Sequence, residues 1–409
     1  MDPKDLSIQD FDYHLPDEKI ALYPLNERDS SRLMVYQQGG IRDEIFKNIG
    51  QYLPDNSLLV FNETKVIKAR IRFQKQTRGI IEVFCLEPHE PGMDYSSVMH
   101  KKGKVSWKCM IGGVGKWKKG ELEKKLITNN EELIIRAVLI QKLPEFYIVE
   151  FSWSPSDWSF AEIILQFGEV PLPPYIKRQA EPGDIANYQT IYAKDEGSVA
   201  APTAGLHFTP GIFESFGEKK ILKEFITLHV GAGTFKPVKT ATMRKHLMHE
   251  EWISVEAETI KNLLSGQWKK IIAVGTTTAR TLETIYWLGV KIILDPGIKT
   301  LELGQWEVYE EQLMHASVTP NEALNTLLHW LKQNNFTKLF TKTQLLIVPS
   351  YRFRIIKGVI TNFHQPQSTL LLLVAAAIGE DWKRLYDHAL ENEYRFLSYG
   401  DGCLILINE

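Results

Sequence analysis

The chain has 409 residues, of which 44% are hydrophobic and 24% are charged, and its formal net charge is −2. The length predicts two domains, and the composition is that of an ordinary globular protein rather than a disordered one. The longest apolar run, residues 370–378, is far shorter than the roughly 20 residues that a bilayer span needs. Three scattered cysteines exclude a disulfide framework, and the charged N-terminus lacks the apolar segment of a signal peptide. These features predict a protein of the reducing cytoplasm.

The first part of the chain predicts a change of architecture near residue 70. Residues 57–61, a serine followed by four apolar residues, come after a turn-rich segment, and this pattern predicts a buried strand within an α/β unit. Between residues 71 and 154 the pattern changes to short alternating runs separated by turn signals, with no convincing helix. Because this pattern is typical of a small antiparallel barrel, we expect an all-β insert there.

After residue 154 helical and strand patterns alternate. The predicted elements are helices at 160–166, 281–288 and 320–333, an apolar helix from 370, and buried strands at 271–274, 344–348 and 359–361. Repeated strand, polar turn and helix indicate a mainly parallel sheet with flanking helices. The predicted fold is therefore an α/β domain of residues 1–70 and 155–409, interrupted by an inserted all-β barrel domain of residues 71–154.

The insert carries an excess of positive charge. Trp107 and Trp117 are interleaved with nine lysines, at positions 101, 102, 104, 108, 116, 118, 119, 124 and 125. Basic side chains beside flat aromatic rings suit a phosphate backbone with splayed bases. The alternative is a solvated hairpin face with no partner.

Two segments, 200–209 and 228–235, place a histidine beside glycines and a threonine at the end of a short apolar run. Glycine allows close approach of the backbone to a ligand, and free N–H groups at strand ends hold polar or anionic groups. Residues 275–280 read Gly-Thr-Thr-Thr-Ala-Arg before a predicted helix, which suits a polar ligand or a simple threonine cap. Since the carboxyl ends of parallel strands meet at one edge, these turns predict a single site.

Other motifs limit the chemistry. Neither a G-x-G-x-x-G fingerprint nor a P-loop occurs, so dinucleotide and P-loop chemistry are unsupported. His246 and His249 would share one face of a helix and, with a third histidine, hold a metal ion. The alternative is a ligand-facing or capping role for His249 and Glu250.

Taken in chain order, eleven segments resemble the S-adenosylmethionine:tRNA ribosyltransferase-isomerase family of queuosine biosynthesis. They are residues 11–16, 28–33, 62–70, 171–178, 188–193, 198–209 with 229–238, 248–250, 274–283, 361–369 and 394–405. The resemblance implies an α/β domain interrupted by a β-barrel. It also implies transfer and isomerisation of the ribosyl part of S-adenosylmethionine onto 7-aminomethyl-7-deazaguanine in tRNA. The product is epoxyqueuosine, adenine and methionine are released, and no metal or prosthetic group takes part.

The resemblance also implies roles for individual residues. Proton transfer is expected from a base and an acid, for which histidine is suited near neutral pH. The expected proton-transfer residues are His207, His229, His249, Glu250 and His364. The expected donor-binding residues are Thr203, Gly205, Gly231, Gly233, Thr234, Thr276, Thr277, Arg280 and Asn362. The expected tRNA-binding residues are Arg32, Lys116, Lys118, Lys119, Tyr175, Arg178 and Arg395, in a protein expected to be a monomer that meets the anticodon loop.

The chain departs from the family pattern in its last third. Ser350 replaces a usual glycine, Gln365 replaces a usual leucine, and residues 301–343 form a longer segment than the family needs. These departures leave open a divergent paralogue that uses the same donor with another acceptor. The residues also leave open a non-catalytic RNA-binding protein on the same fold and a metal-dependent hydrolase.

Overall fold

The structure is a computed structural model that describes residues 2–75, 77–90, 95–117, 120–128, 131–144, 146–231, 238, 240–266 and 268–407. Most of its strands belong to one of two large sheets, and their bounds in chain order are β1 Arg32–Gln37, β2 Gly40–Ile45, β3 Ser57–Asn62, β4 Thr64–Val66, β5 Arg70–Gln74, β6 Ile80–Pro88, β7 Lys104–Gly112, β8 Leu122–Thr128, β9 Glu131–Lys142, β10 Tyr147–Ser154, β11 Gly168–Glu169, β12 Asp195–Ser198, β13 Leu222–Leu228, β14 Glu251–Glu256, β15 Lys270–Val274, β16 Lys338–Thr343, β17 Gly358–Asn362 and β18 Gly402–Leu406.

The α-helices of the described residues flank these sheets. Their bounds are α1 Ile49–Tyr52, α2 Tyr95–Met99, α3 Phe160–Phe167, α4 Asp184–Asn187, α5 Pro210–Ser215, α6 Ala257–Leu263, α7 Thr276–Leu294, α8 Glu311–Met314, α9 Pro320–Gln333, α10 Thr369–Ile378 and α11 Asp381–Glu391. Helix α9 begins where the prediction placed it, because Thr319 and Glu322 form a capping box around Pro320 in the first turn. None of the described helices combines the length and the apolar character needed to cross a membrane.

The large sheet is mixed rather than mainly parallel. Its order is β16-β14-β13-β3-β15-β17-β18-β1-β2. Strands β13, β3, β15 and β17 are parallel, as expected of buried strands covered by helices. Antiparallel pairs flank this core: β14 and β16 on one side, and β18 against β17 and β2 against β1 on the other. The prediction failed there because a short apolar run does not reveal the direction of its partner.

The second sheet is antiparallel and curled, in the order β11-β5-β6-β7-β10-β9-β8. Its two edges approach each other where Lys124 of β8 donates to the carbonyl of Phe167, which precedes β11. Trp107, Phe151 and Phe160 pack inside it. The sheet thus uses residues up to Glu169. Contrary to the expectation of an insert without helices, the short helix α2 packs on this sheet as well.

Two further sequence predictions were wrong. Residues 344–348, of which 345–348 are buried, do not form a strand, because their backbone groups pair with a loop and a side chain instead. Gln344 N–H donates to Leu303 O at 2.9 Å, and Tyr309 Oη bonds both Leu346 O and Val348 N. The segment with His246 and His249 is not a helix, so the shared helical face of the metal hypothesis does not exist.

The long segment 301–343 is part of the fold. It supplies the edge strand β16 and the helix α9, which packs closely on α7. At the contact, a Cβ added to Gly289 of α7 would lie 2.1 Å from the carbonyl oxygen of Ala323 in α9. The segment therefore extends the large sheet by one edge strand and covers one of its faces.

Candidate functional site

The first candidate cavity, here called the sheet-edge cavity, lies where β15 and β17 end. The turn 200–204, the first turn of α7, and the segments 361–365 and 397–398 surround it. This position matches the rule that ligands bind at the carboxyl ends of parallel strands. Six of the predicted site residues line it: Thr203, Tyr175, Thr276, Thr277, Asn362 and His364.

Helix α7 points its N-terminus into the sheet-edge cavity. Thr276 and Thr277 are its first two residues, and Gly275 precedes them with a φ of 95°. Among the described residues no side chain caps this end of the helix. The first amide N–H groups of a helix have no carbonyl partner within it and carry a partial positive charge. The predicted threonine cap is thus replaced by a helix end that is open towards the cavity.

Asn362 links the sheet-edge cavity to His207 behind it. Its Nδ2 donates to Leu397 O at 3.0 Å and lies 3.3 Å from His207 Nε2. Since an amide nitrogen can only donate, His207 Nε2 accepts, and His207 Nδ1 carries the proton shared with Ser31 Oγ at 2.8 Å. Burial, with the nearby charge of Arg395, lowers the pKa of His207 to about 4, so the ring is neutral at pH 7.

His207 is thus not a lining residue of the sheet-edge cavity. It stacks on Phe46, with ring centroids 4.5 Å apart, and faces a small crevice lined by Arg28 and Arg395. Gly205, in the same segment, does not line the sheet-edge cavity either. It packs against Tyr192, since a Cβ at this position would lie 2.0 Å from Tyr192 Oη. The glycine at this position has a packing reason that the sequence pattern does not reveal.

His364 lines the sheet-edge cavity in a fixed orientation. Its Nε2 lies 2.8 Å from Thr361 Oγ1, its backbone N–H donates to Tyr386 Oη at 3.0 Å, and Tyr13 Oη donates to its carbonyl. Burial lowers the pKa of His364 to about 3. The ring is therefore neutral and held at both its backbone and its side chain.

A second cavity, here called the inter-sheet cavity, lies between the curled sheet and β14 of the large sheet. Its volume is about 310 Å³, against about 80 Å³ for the sheet-edge cavity. The predicted residues that line it are His229, Gly231, His249 and Glu250. Val230 lines both cavities, so the two are neighbours on either side of this residue.

His229 is held tightly at the wall of the inter-sheet cavity. Its Nδ1 lies 3.3 Å from Thr64 Oγ1, and its ring stacks on Tyr95 with centroids 5.0 Å apart and planes 18° apart. Gly197 packs against this pair, since a Cβ there would lie 2.6 Å from the His229 ring. Burial lowers the pKa of His229 to about 4, which keeps the ring unprotonated at neutral pH.

Acidic and basic groups surround His229 in pairs. Glu250 is exposed at the cavity mouth and lies 2.7 Å from Lys342 Nζ, while Lys108 Nζ lies 2.6 Å from Glu87 Oε1. Glu251, the next residue after Glu250, is buried and forms an ion pair with Arg280. Arg280 does not line either cavity, but it contacts two residues that line the inter-sheet cavity, Glu251 and Met248.

The predicted tRNA-binding residues occupy several places. Arg178 forms a two-point ion pair with Asp184, at 2.6 and 2.7 Å, and Arg32 lies over the Tyr394 ring. Tyr175 Oη lies 2.7 Å from Ser398 Oγ at the sheet-edge cavity, and Arg395 Nη2 lies 3.3 Å from Asp401. Lys116 ends the short 3-10 helix 114–116, between strands β7 and β8 of the curled sheet. Lys118, Lys119, Gly233 and Thr234 lie outside the described residues.

Sequence reasoning missed three residues that shape the inter-sheet cavity. Tyr95 stands in the short helix of a region that the alternating pattern predicted as all-β, so no local signal indicated it. Thr64 lay inside a segment used for the family resemblance, next to a buried strand, without a role assigned to it. Glu251 follows Glu250 directly and lines the same cavity, but no local pattern indicated its ion pair with Arg280.

Comparison with known proteins gives a consistent result over the whole chain. The sequence profile of the family described as queuosine biosynthesis protein matches residues 8–405. A protein of Thermotoga petrophila named S-adenosylmethionine:tRNA ribosyltransferase-isomerase is 38% identical over 406 residues, which cover 98% of this chain and all of the relative. Proteins with the same name from Sulfurihydrogenibium sp. and Pelobacter propionicus are 37% and 35% identical, covering 98% and 97% of this chain and 100% and 99% of their own lengths.

Among solved structures, the crystal structure of S-adenosylmethionine tRNA ribosyltransferase from Thermotoga maritima is 30% identical in sequence. The alignment covers 97% of this chain and 99% of that chain, with a TM-score of 0.46.

Proposed function

Because this chain belongs to the queuosine biosynthesis protein family, we propose that it transfers and isomerises the ribosyl part of S-adenosylmethionine onto 7-aminomethyl-7-deazaguanine in tRNA. Epoxyqueuosine forms, and adenine and methionine leave. The observation that carries this proposal is the contact of two cavities of unequal size at Val230, with neutral histidines in their walls. An elongated donor with a nucleoside at one end and an amino acid at the other fits such a pair.

The larger, inter-sheet cavity takes the adenosyl part and the attacking amine in this proposal. An aliphatic amine with a pKa near 10 must lose a proton before it attacks. A second proton must leave the carbon next to the sulfonium. Both transfers need an unprotonated base, and His229 is unprotonated at pH 7 and presented by Thr64, Tyr95 and Gly197. Thr64 Oγ1 donates its hydrogen to Asp195 O at 3.4 Å and therefore accepts from His229 Nδ1–H, so Nε2 is the ring nitrogen that accepts the proton.

His249 and Glu250 stand at the mouth of the same cavity, where a proton exchanges with solvent. The departing adenine needs a proton donor, and this pair supports that role better than His229 because Glu250 is exposed. His364 and His207 lie on the other side of Val230. We assign them to the orientation of groups in the sheet-edge cavity, His364 directly and His207 through Asn362.

The tRNA approaches from the side on which the inter-sheet cavity opens. Lys108 and Lys342 flank the cavity, and the remaining lysines of the curled sheet provide positive charge for the phosphates of the anticodon loop. We further propose that residues 71–154 act as a domain inserted between residues 1–70 and 155–409. A monomer in the cytoplasm, where tRNA is modified, is the working form.

The proposal is tested by incubating the protein with S-adenosylmethionine and tRNA that carries the aminomethyl precursor, and by chromatography of the small products. Adenine and methionine are expected in equal amounts, together with modified tRNA. A matched tRNA with unmodified guanine should give neither. Release of S-adenosylhomocysteine would show methyl transfer and overturn the proposal. Donor binding without turnover would instead point to the paralogue with a different acceptor.

A further inference from the structure

Two aromatic side chains stack on strands β14 and β16 beside the mouth of the inter-sheet cavity. Trp252 of β14 and Phe340 of the edge strand β16 have ring centroids 4.6 Å apart and ring planes 9° apart. Trp252 also lines the inter-sheet cavity, whereas Phe340 does not. The stacked pair therefore continues from the wall of the cavity onto the surface of the large sheet.

Phe340 is the exposed end of this stack. Lys342 Nζ lies 4.9 Å from the centroid of the Trp252 ring and 2.7 Å from Glu250 Oε2, so Trp252 is held by a cation as well as by Phe340. Within the described part of the chain Trp252 is the one aromatic partner of Phe340, whose side chain is still 41% exposed. The residue directly opposite Phe340 in the sheet is Ser254, which is too short to cover a ring. A flat apolar surface thus faces solvent beside the cavity.

The flatness and the position of this surface select the class of partner. Any nucleobase can stack on an aromatic ring, since every base has a π-face. An enzyme that acts on a base takes it out of the stack, and the neighbouring base then lacks one stacking partner. Phe340 lies two residues along β16 from Lys342, about 7 Å in an extended strand, and so stands next to the cavity mouth. A cross-strand aromatic pair can also simply stabilise a sheet, but that role needs no exposed ring surface.

We propose that Phe340, stacked on Trp252, binds the base of the nucleotide next to the one that enters the inter-sheet cavity. The partner is single-stranded RNA, and the contact is a stacking contact that tolerates any base. That this RNA is the anticodon loop of tRNA rests on the proposed function. Phe340 is a positioning residue, because its ring acts on the neighbour of the reacting base and not on the reacting atoms.

The test compares RNA affinities of the full-length protein when the protein and the RNA are changed separately and together. The RNA is an anticodon stem-loop with the aminomethyl precursor, carrying an abasic nucleotide on one or the other side of the precursor. On the unchanged protein, one of the two abasic RNAs is expected to bind about tenfold more weakly, the effect of one lost base–aromatic stack. On Phe340→Leu the same abasic site should cost less than about twofold, because leucine has no ring on which a base can stack.

Phe336→Leu is the matched control. Phe336 belongs to the same segment 301–343, is 53% exposed and lies beside Trp330, with ring centroids 5.8 Å apart. Neither Phe336 nor Trp330 lines the inter-sheet cavity. Phe336→Leu should therefore bind each RNA as the unchanged protein does and should keep the full cost of the abasic site.

Three results would overturn the inference. The first is an equal cost of the abasic site in the unchanged protein and in Phe340→Leu. The second is an unchanged protein that binds both abasic RNAs as tightly as the complete stem-loop, a result that does not require any variant to fold. The third is a loss of self-association in Phe340→Leu, measured by ultracentrifugation, without weaker RNA binding, because the surface would then be a contact between copies of the chain.

The results also separate this inference from the proposed function. A cost of the abasic site that depends on Phe340, without adenine release from donor and precursor tRNA, would keep the stacking site and remove the proposed reaction. Adenine release without any such dependence would keep the reaction and remove the stacking site.

Discussion

Replacing Gly197 with alanine tests whether the orientation of His229 controls turnover. The backbone of Gly197 has a φ of 149°, and a Cβ there would lie 2.6 Å from two ring atoms of His229 and 2.9 Å from Cδ1 of Tyr95. Ordinary contact begins at 3.4 Å, so the imidazole must move by about 0.8 Å, the difference between the two distances. The stacked pair has to move together or separate.

The size of the effect follows from this displacement. A misplacement of about 1 Å at a reacting group costs about 100-fold in rate, so Gly197→Ala should lower kcat by roughly 10- to 100-fold. Backbone strain at this φ costs about 1–3 kcal/mol. With an unfolding entropy of about 2.1 cal/mol/K per residue, 409 residues give about 0.9 kcal/mol/K, and Tm should fall by about 1–3 °C.

The assay is adenine release under saturating donor and precursor tRNA, together with a thermal melt. Gly217→Ala is the matched control, because a Cβ at Gly217 meets nothing within 4 Å, and it should match the unchanged protein in rate and Tm. A Gly197→Ala protein that turns over within twofold of the unchanged protein would refute the reasoning. It would mean that the position of His229 does not limit the reaction.

Three further changes have defined outcomes. His207, His229 and His364 have folded-state pKa values of about 4, about 4 and about 3, below the ordinary 6.5, so the unfolded chain binds more protons than the folded protein between these values. Their contribution to stability is complete above pH 6.5 and should fall by about 4 kcal/mol per pH unit well below it; urea unfolding at pH 5.5 and 4.5 measures this, and equal stability at the two values would contradict it. Glu283→Gln should lower the free energy of unfolding by about 2–4 kcal/mol without changing donor binding, because the buried carboxylate accepts four hydrogen bonds and an amide can accept only at its oxygen. Urea titration measures this, and a loss under about 0.5 kcal/mol would contradict it. Tyr95→Phe should keep kcat within about threefold, because the stacking ring remains, whereas Tyr95→Ala should lose tenfold or more; equal rates for the two variants would show that the stack on His229 is irrelevant.

The fold was predictable where a pattern is local. The strand 57–61 and the helix 320–333 agree with β3 and α9 because one contains a continuous apolar run and the other has its own capping box. The run 344–348 looks like β3 in composition but forms no strand, since Leu303 and Tyr309 take its hydrogen bonds. Such partners are distant in sequence, and no window around the run contains them.

In the candidate site, too, local patterns were predictable and contacts between distant parts of the chain were not. The histidines were identified as site residues from their neighbours, and His229 and His364 do line cavities. The expectation of a ligand-facing Arg280 does not agree with its position, because Glu251 lies within reach of the guanidinium. A helical pattern shows that Arg280 follows Thr276 by about one turn but not which acid its long side chain meets. Charge pairing of this kind depends on tertiary contacts alone.

The order of strands in the large sheet has a consequence for how the protein is made. Strand β18 joins the sheet between β17 and β1, so the pair β1 and β2 cannot attach to the other strands until β18 has been synthesised. The side chain of Asn362 also depends on this part of the chain, because its amide donates to the carbonyl of Leu397, just before β18. A ribosome that stops early therefore releases a chain with an open sheet and an unfinished cavity. The topology therefore makes completion of the large sheet and of the sheet-edge cavity depend on the synthesis of β18.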